Sequence, residues 1–245
     1  MNSVEGIILR RRTLGESDVF VTVLTETGEI IDLKAPGARK ISSRRAPYLM
    51  DFNINLFFIY NGQKVPIITD IKSLFQFDFS HDQEKLPKLM NASEISFYFG
   101  GHQNQAHNLY PLMCSLVRTQ DKTQFENIYN CFLLTALSES GTFPEVFECV
   151  KCRSELAPRS NELSLDDGGF LCEVCENLGS FPVSLSTQKI LRAFARGNSL
   201  KLMDLKILPV IQAELTQIAQ ILLEQVAERR LTVDVGVENM NRARL

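Results

Sequence analysis

Four of the six cysteines fall in two tight pairs, Cys149-Val150-Lys151-Cys152 and Cys172-Glu173-Val174-Cys175, separated by nineteen residues. Each pair can bring two sulfurs to one side of a turn, and the spacer is long enough to fold back. Four thiolates can then surround one Zn²⁺ tetrahedrally at roughly 2.3 Å, a closed coordination with no open position for substrate. The expectation is a structural zinc held by Cys149, Cys152, Cys172 and Cys175, with no chemistry at the metal. A disulfide framework would need an oxidising compartment, whereas Met1-Asn2-Ser3-Val4-Glu5 lacks the basic start and apolar run of a signal peptide. A redox pair would need one such motif after a strand of a parallel α/β pattern, which this sequence does not offer. Cys114 and Cys131 sit in apolar helical patterns and read as small core residues. His81, His102 and His107 are remote in sequence from the cysteines, which argues against a mixed site.

A chain of 245 residues suggests two domains and a small insert. Its 44% apolar and 22% charged content are those of an ordinary globular protein. No apolar run approaches the roughly 18 residues of a transmembrane helix, so a cytosolic protein without membrane contact is expected. The net charge of −3 hides an asymmetry. Lys34 to Met50 holds five basic residues and no acidic one, whereas Glu145 to Glu176 holds eight acidic against three basic. Four thiolates around Zn²⁺ add −2 to the second segment. A polyanion would be drawn to the first and repelled by the second.

The first 75 residues read as β structure: Val4 to Arg11, Asp18 to Thr25, Glu29 to Ala35, Phe52 to Tyr60 and Val65 to Leu74. Gly28 supplies a turn that takes positive φ, and Asn61-Gly62 between two such runs is a hairpin signal. Five strands without an intervening helix suit a small barrel, with an OB-fold leading and an SH3-like barrel fitting the same pattern. From about Gln83 the period turns helical. Asp121 is a candidate N-cap with Gln124 at the third helical position, ahead of a stripe of Phe125, Ile128, Phe132 and Ala136. Gly141 and Pro144 end that helix before the first cysteine pair. Ser186 to Arg196 is a further helix, ended by Gly197-Asn198. Pro209 opens another, with Ile211, Leu215, Ile218, Leu222 and Val226 on its apolar face. The fold class is therefore α+β. A five-stranded barrel over 1–79 precedes a helical domain of 80–145 and 181–235, with a zinc module at 146–180 inserted and a loose tail at 236–245.

Little in the sequence looks catalytic: there is no GxSxG, HExxH or P-loop pattern, nor the signature of a zinc deaminase. The loop from Pro36 to Pro47 is the better functional candidate. It places backbone donors, hydroxyls and the cations Arg39, Lys40, Arg44 and Arg45 on one connection, the groups that phosphate binding needs. Lys34 and Arg11 stand behind them. Tyr48, Phe52, Phe57, Phe58 and Tyr60 offer stacking faces for unpaired bases, but alternation sends Phe57 and Phe58 to opposite sides, so at most half of them reach the surface. Arg10-Arg11-Arg12 is a second basic run, explained nearly as well as a charged strand edge that discourages aggregation.

These residues carry a family resemblance. Gly6-Ile7-Ile8-Leu9, Gly15-Glu16-Ser17-Asp18, Leu24-Thr25 with Gly28, and Gly37-Ala38-Arg39-Lys40 closely resemble the start of the RecO family of bacterial recombination mediators. The resemblance resumes at Gly141-Thr142-Phe143-Pro144 and continues in Gly168-Gly169-Phe170-Leu171-Cys172. It implies an N-terminal OB-fold, a helical domain carrying a zinc module, and a DNA repair and recombination protein that is not an enzyme. It further implies binding to single- and double-stranded DNA, strand annealing, and loading of RecA onto strands coated by single-stranded DNA-binding protein (SSB) together with RecR. The C-terminal tail of SSB, acidic and aromatic, would be a second protein partner, and the setting cytoplasmic and nucleoid-associated. Glu228-Arg229-Arg230-Leu231-Thr232-Val233 departs from the family's C-terminal basic run. Arg192, Arg196, Arg229 and Arg230 are the cations available for the tail's carboxylates. Two rival readings are a zinc-stabilised protein scaffold with little DNA contact and an RNA-binding OB protein, because a phosphate-reading loop does not distinguish the two sugars.

Overall fold

The computed structural model describes residues 2–62, 64–100, 107–197 and 202–227. The chain divides into two compact units, the first covering residues 1–120 and the second beginning at Asp121. The expected boundary at 79/80 lies inside the first unit and those at 145/146 and 180/181 inside the second.

The first unit is built on five strands, β1 (Asn2–Leu14), β2 (Asp18–Thr25), β3 (Ile30–Ala35), β4 (Ile54–Tyr60) and β5 (Ile67–Phe75). They close into a barrel in the order β1-β2-β3-β5-β4, with β3 and β5 parallel and every other pair antiparallel. This is the five-stranded OB-type barrel expected from the sequence, and closure removes the exposed edges that so short a sheet would otherwise present. Alternation fills its interior: Val19, Val21 and Val23 from β2 meet Leu33, Phe57 and Ile68, all buried. Phe58 points the other way and is only half-buried. Gly28 takes φ +83° in the β2–β3 turn, where a side chain would be strained.

Two departures from simple alternation matter. Between Ile8 and Arg10 the β1–β2 register slips by one residue, leaving Leu9 as a bulge. Ile7, Ile8 and Leu9 are all buried, because the outer face of β1 is covered by α1 (Leu86–Gly100) and α2 (Leu109–Arg118). Ser93 Oγ donates to the Leu9 carbonyl at 2.8 Å, and the Tyr110 hydroxyl donates to Glu5 at 2.9 Å. The β4–β5 connection is also longer than Asn61-Gly62 alone suggests, since Tyr60 pairs with Ile67. Pro66 has no N–H for the ladder, so the strand starts after it while its carbonyl accepts from Lys34 N at 2.9 Å.

The second unit holds α3 (Lys122–Glu139), α4 (Leu185–Ala195) and α5 (Pro209–Ala227), together with a small sheet of β6 (Asn161–Ser164), β7 (Gly169–Leu171) and β8 (Ser180–Val183) in the order β7-β6-β8. Asp121 caps α3 by accepting from Gln124 N at 2.7 Å, the cap its sequence suggests. Phe125, Ile128, Phe132 and Ala136 are buried, and so are Asn127 and Asn130. The two asparagines meet α5 directly: Gln212 Nε2 donates to Asn127 Oδ1 at 2.8 Å and Thr216 Oγ1 to Asn130 Oδ1 at 2.9 Å. The α3–α5 seam is therefore fixed by a polar ladder as well as by Leu215, Ile218 and Leu222. Arg229, Arg230 and the tail at 236–245 lie outside the described residues, as do His102 and Asn198.

Candidate metal centre and nucleic-acid interface

The cysteine module is assembled from two turns and the three-stranded sheet. In the first turn Cys149 N donates to Ser154 O at 2.8 Å and Arg153 N to Cys149 O at 2.9 Å, with Arg153 held at φ +63°. In the second, Cys175 N and Glu176 N both donate to Cys172 O, at 2.9 and 3.1 Å. Gly168 turns the chain into β7 at φ +72°. Gly169 then passes so close to the first turn that a Cβ would lie 2.6 Å from Val150 Cγ1 and 2.9 Å from Glu145 O. The Gly-Gly pair before the second cysteines is thus required by one turn and one close approach.

The result is that the four Sγ atoms of Cys149, Cys152, Cys172 and Cys175 lie within 4.8 Å of one another, with Cys152 and Cys172 at 3.6 Å. A tetrahedron with ligands at roughly 2.3 Å has edges of about 3.8 Å, so the cluster is compact enough to hold a metal ion. Hydrogen bonds from Ser154 pull the Cys152 thiol down to about 6, while Cys175 is pushed up to about 12, first by the hydrogen bond it shares with Cys172. Four thiolates at this distance cannot all be negative unless a cation sits among them. Cys114 and Cys131 behave differently: burial pushes their thiols up to about 11 and about 12, and both are core residues.

The module's basic residues are largely spent within it. Arg159 pairs with Glu173 at 2.9 Å and Glu176 at 3.3 Å, and Lys151 with Asp167 at 3.5 Å. Beside the first turn lies a shallow cleft of about 450 Å³ lined by Phe143, Pro144, Phe147, Val150 and Arg153 among others. Arg192 Nε donates to Val146 O at 2.8 Å, and the Arg196 guanidinium lies over the Phe147 ring at 5.1 Å.

The basic loop follows β3, and its anchors are the residues of two family-like segments. Asp18 Oδ1 accepts from Gly37 N at 2.9 Å, and its other oxygen pairs with Lys34 Nζ at 3.0 Å. The Gly37 amide, then Lys34 and Ser17, hold the Asp18 carboxyl down at about 2. Arg39 N donates to Ser17 O and Arg39 Nη1 to Gly15 O, at 2.9 and 2.8 Å, which ties the loop to the β1–β2 turn. Ala38 is buried in the barrel core. At the far end Arg45 donates to Ile68 O at 2.6 Å and to Pro36 O at 2.7 Å, stapling the loop across its base. The connection is therefore a pinned structure.

Those anchors separate the six candidate cations. Arg45 and Lys34 are half-buried and engaged, and Arg39 is exposed with one edge of its guanidinium on a carbonyl. Arg11, opposite the core residue Val21, is half-buried with a buried Nε that has no hydrogen-bond partner. It lies near Asp51, whose carboxyl burial pushes up against the opposing pull of Arg11 and Arg10. Arg10 and Arg12 face outward, Arg10 over the Phe97 ring at 5.2 Å and Arg12 on Asp32 at 2.8 Å. Lys40 and Arg44 remain, exposed on the outer turn. Among the aromatics, Phe52 and Phe57 are buried, Tyr48 and Phe58 half-buried, and Tyr60 is 58% exposed. Sequence reasoning passed over Asp18 as an anchor, although it stands inside a recognised segment, and over Ile41, an apolar residue in an otherwise polar turn.

Among the described residues, no helix is long and apolar enough to cross a membrane. Residues 1–77 match the family model for the Recombination protein O N terminal, and residues 100–233 that for the Recombination protein O C terminal. A "DNA repair protein RecO" of Roseiflexus sp. (strain RS-1) is 28% identical over 233 residues, covering 92% of this chain and 81% of that one. Another, of Dehalococcoides mccartyi (strain ATCC BAA-2266 / KCTC 15142 / 195), is 25% identical over 243 residues, covering 98% and 96%. The chain belongs to the RecO family of DNA repair proteins.

Proposed function

We propose that this protein is a nonenzymatic repair and recombination mediator that grips the backbone of single- and double-stranded DNA at the tip of the basic loop. The observation that carries this reading is the placement of Lys40 and Arg44 on the outer turn of a loop pinned at both ends to the barrel. Cations held out on a fixed platform neutralise phosphates without the further cost of ordering the backbone, and they leave the bases unread. Two strands held in this way by charge retain free base edges and can pair, which is the physical requirement of annealing. Arg39 supplies a third contact from its unengaged edge. Lys34, Arg45 and Arg11 act behind the surface as positioning residues.

The four-cysteine site would hold Zn²⁺. Four thiolates and a closed tetrahedron favour that ion, which would supply folding energy and no reaction step. The family reading adds RecA loading on SSB-coated strands with RecR, in a cytoplasmic, nucleoid-associated setting. For the SSB tail, the cleft offers apolar surface from Phe143, Phe147 and Val150, while Arg153 and the neighbouring Arg196 stand against the carboxylates of Glu145 and Asp167, so an aromatic side chain fits it better than the tail's acidic residues do.

The test is binding of fluorescent single-stranded DNA across a salt series, for the wild type and for Lys40→Ala/Arg44→Ala. Each phosphate contact contributes a slope of about −0.7 in log K against log salt on a single strand, so the double variant should be shallower by about 1.4. An unchanged affinity and slope in a folded variant would remove the loop from the DNA site. Equal competition by RNA of matched sequence would favour an RNA-binding reading.

A further inference from the structure

Ile41 stands at 108% exposure between Lys40 and Arg44. A single exposed apolar side chain is ordinary on a protein surface. Its setting here is not ordinary. Lys40 O accepts from Ser43 N at 2.8 Å and Gly37 O from Lys40 N at 3.2 Å, so Ile41 and Ser42 occupy the two corner positions of a hydrogen-bonded turn. The residues on either side are fixed by the buried Ala38, by Arg39 on Gly15 and by Arg45 on Ile68 and Pro36. The apolar group is therefore held outward at the corner of a clamped turn, with a cation directly before it and another three residues after. Its β-branched side chain has few rotamers to lose on burial.

We infer that Ile41 is an apolar wedge that enters the base stack of the nucleic acid whose phosphates Lys40 and Arg44 hold, at steps that are already open. This rests on the proposed DNA-binding role of the loop and adds to it a substrate preference. Aliphatic side chains placed between base steps unstack and kink the strand at an energetic cost, which flanking phosphate contacts offset. The cost is least where stacking is already lost, as at a mismatch, an abasic gap or the junction of paired and unpaired strands. A wedge between two phosphate-binding cations therefore converts uniform backbone affinity into selection for interrupted duplex. The contact carries no charge, so it changes affinity by the same factor at every salt concentration and leaves the slope untouched.

The experiment uses the full-length protein and two duplexes identical except for one central abasic site, each with 2-aminopurine at the neighbouring position. Affinity and 2-aminopurine emission are read for the wild type, Ile41→Ser, Ile41→Leu and Lys40→Ala/Arg44→Ala. The wild type should favour the interrupted duplex, on the order of tenfold, from burial of one aliphatic side chain. Ile41→Ser should lose that preference and the emission change while keeping its affinity for continuous duplex and its salt slope; Ile41→Leu should keep both. Ile41 is solvated, so Ile41→Ser should fold as the wild type does. An equal preference in Ile41→Ser, or none in the wild type, overturns the inference. If Lys40→Ala/Arg44→Ala loses binding while Ile41→Ser keeps the preference, only the wedge fails. If the double variant binds as the wild type does, the phosphate site itself is misplaced and both readings fall.

Discussion

The cysteine module and the basic loop each gather four groups of like charge within a short stretch of chain, and they resolve the resulting repulsion in opposite ways. In the module the four sulfurs converge to within 4.8 Å, a spacing at which four thiolates need a cation between them. In the loop the four cations diverge. Arg39 and Arg45 turn back onto backbone carbonyls, whereas Lys40 and Arg44 face solvent. A convergent cluster of thiols calls for a cation, because its charge and geometry suit few other ligands. In a divergent cluster the count of charges exceeds the number available to a ligand, since a guanidinium that staples a loop is spent on the fold.

The most severe way to break the module is to remove one ligand. Cys149→Ser should abolish metal retention and lower the thermal midpoint by more than about 10 °C, because the sheet beside the cysteines is built of three short strands, Asn161–Ser164, Gly169–Leu171 and Ser180–Val183. Metal content and a thermal melt of the purified variant check this; full metal content at an unchanged midpoint would refute a structural metal. The next largest effect should come from Gly169→Ala. The added methyl meets Val150 and the Glu145 backbone, neither a flexible side-chain end, so a loss of about 1–3 kcal/mol is expected in denaturant unfolding. A smaller value would mean that the first turn yields more readily than its hydrogen bonds suggest.

The loop should respond differently at neighbouring positions. Arg45→Ala removes two charge-assisted hydrogen bonds and leaves the Ile68 and Pro36 carbonyls without that donor, so stability should fall by about 2 kcal/mol. Lys40→Ala should change stability by less than about 0.5 kcal/mol. Urea titration of both variants sharpens the comparison directly. Equal effects would mean that the loop's charges are not divided between fold and ligand.

How far the sequence could foretell these regions follows from the same physics. The cysteine site was readable because ligand spacing encodes a closed geometry, and the glycines before Cys172 mark where backbone must approach backbone. The strands were readable from β-branched alternation. The Leu9 bulge was not, because a continuous apolar run hides the residue at which the register slips. Asn127 and Asn130 of α3 look solvent-facing by residue type; their burial depends on Gln212 and Thr216 of α5, more than eighty residues away in sequence. In the loop the charges were plain, but whether Arg45 meets a phosphate or a carbonyl depends on β5 and on Pro36, contacts that no local pattern encodes.

The subtlest test concerns the anchor on which that division rests. Asp18 holds the Gly37 amide and Lys34, and these partners keep its carboxyl at about 2 in place of the usual 3.8. A carboxyl depressed on folding contributes stability that is fully present above the unfolded value and is lost as pH falls through the folded one. The contribution should therefore be complete above about pH 4 and fade between about pH 4 and pH 2. Asp18→Asn cannot carry the charge at any pH. Its urea midpoint should lie below that of the wild type at pH 7, and the gap should narrow steadily as both are taken toward pH 2, since carboxyls elsewhere titrate alike in the two proteins. A gap that persists at pH 2 would mean that the side chain's shape and neutral hydrogen bonds hold the loop. The cations beyond it would then stand on a neutral support, unlike the thiolates of the module, whose assembly depends on charge.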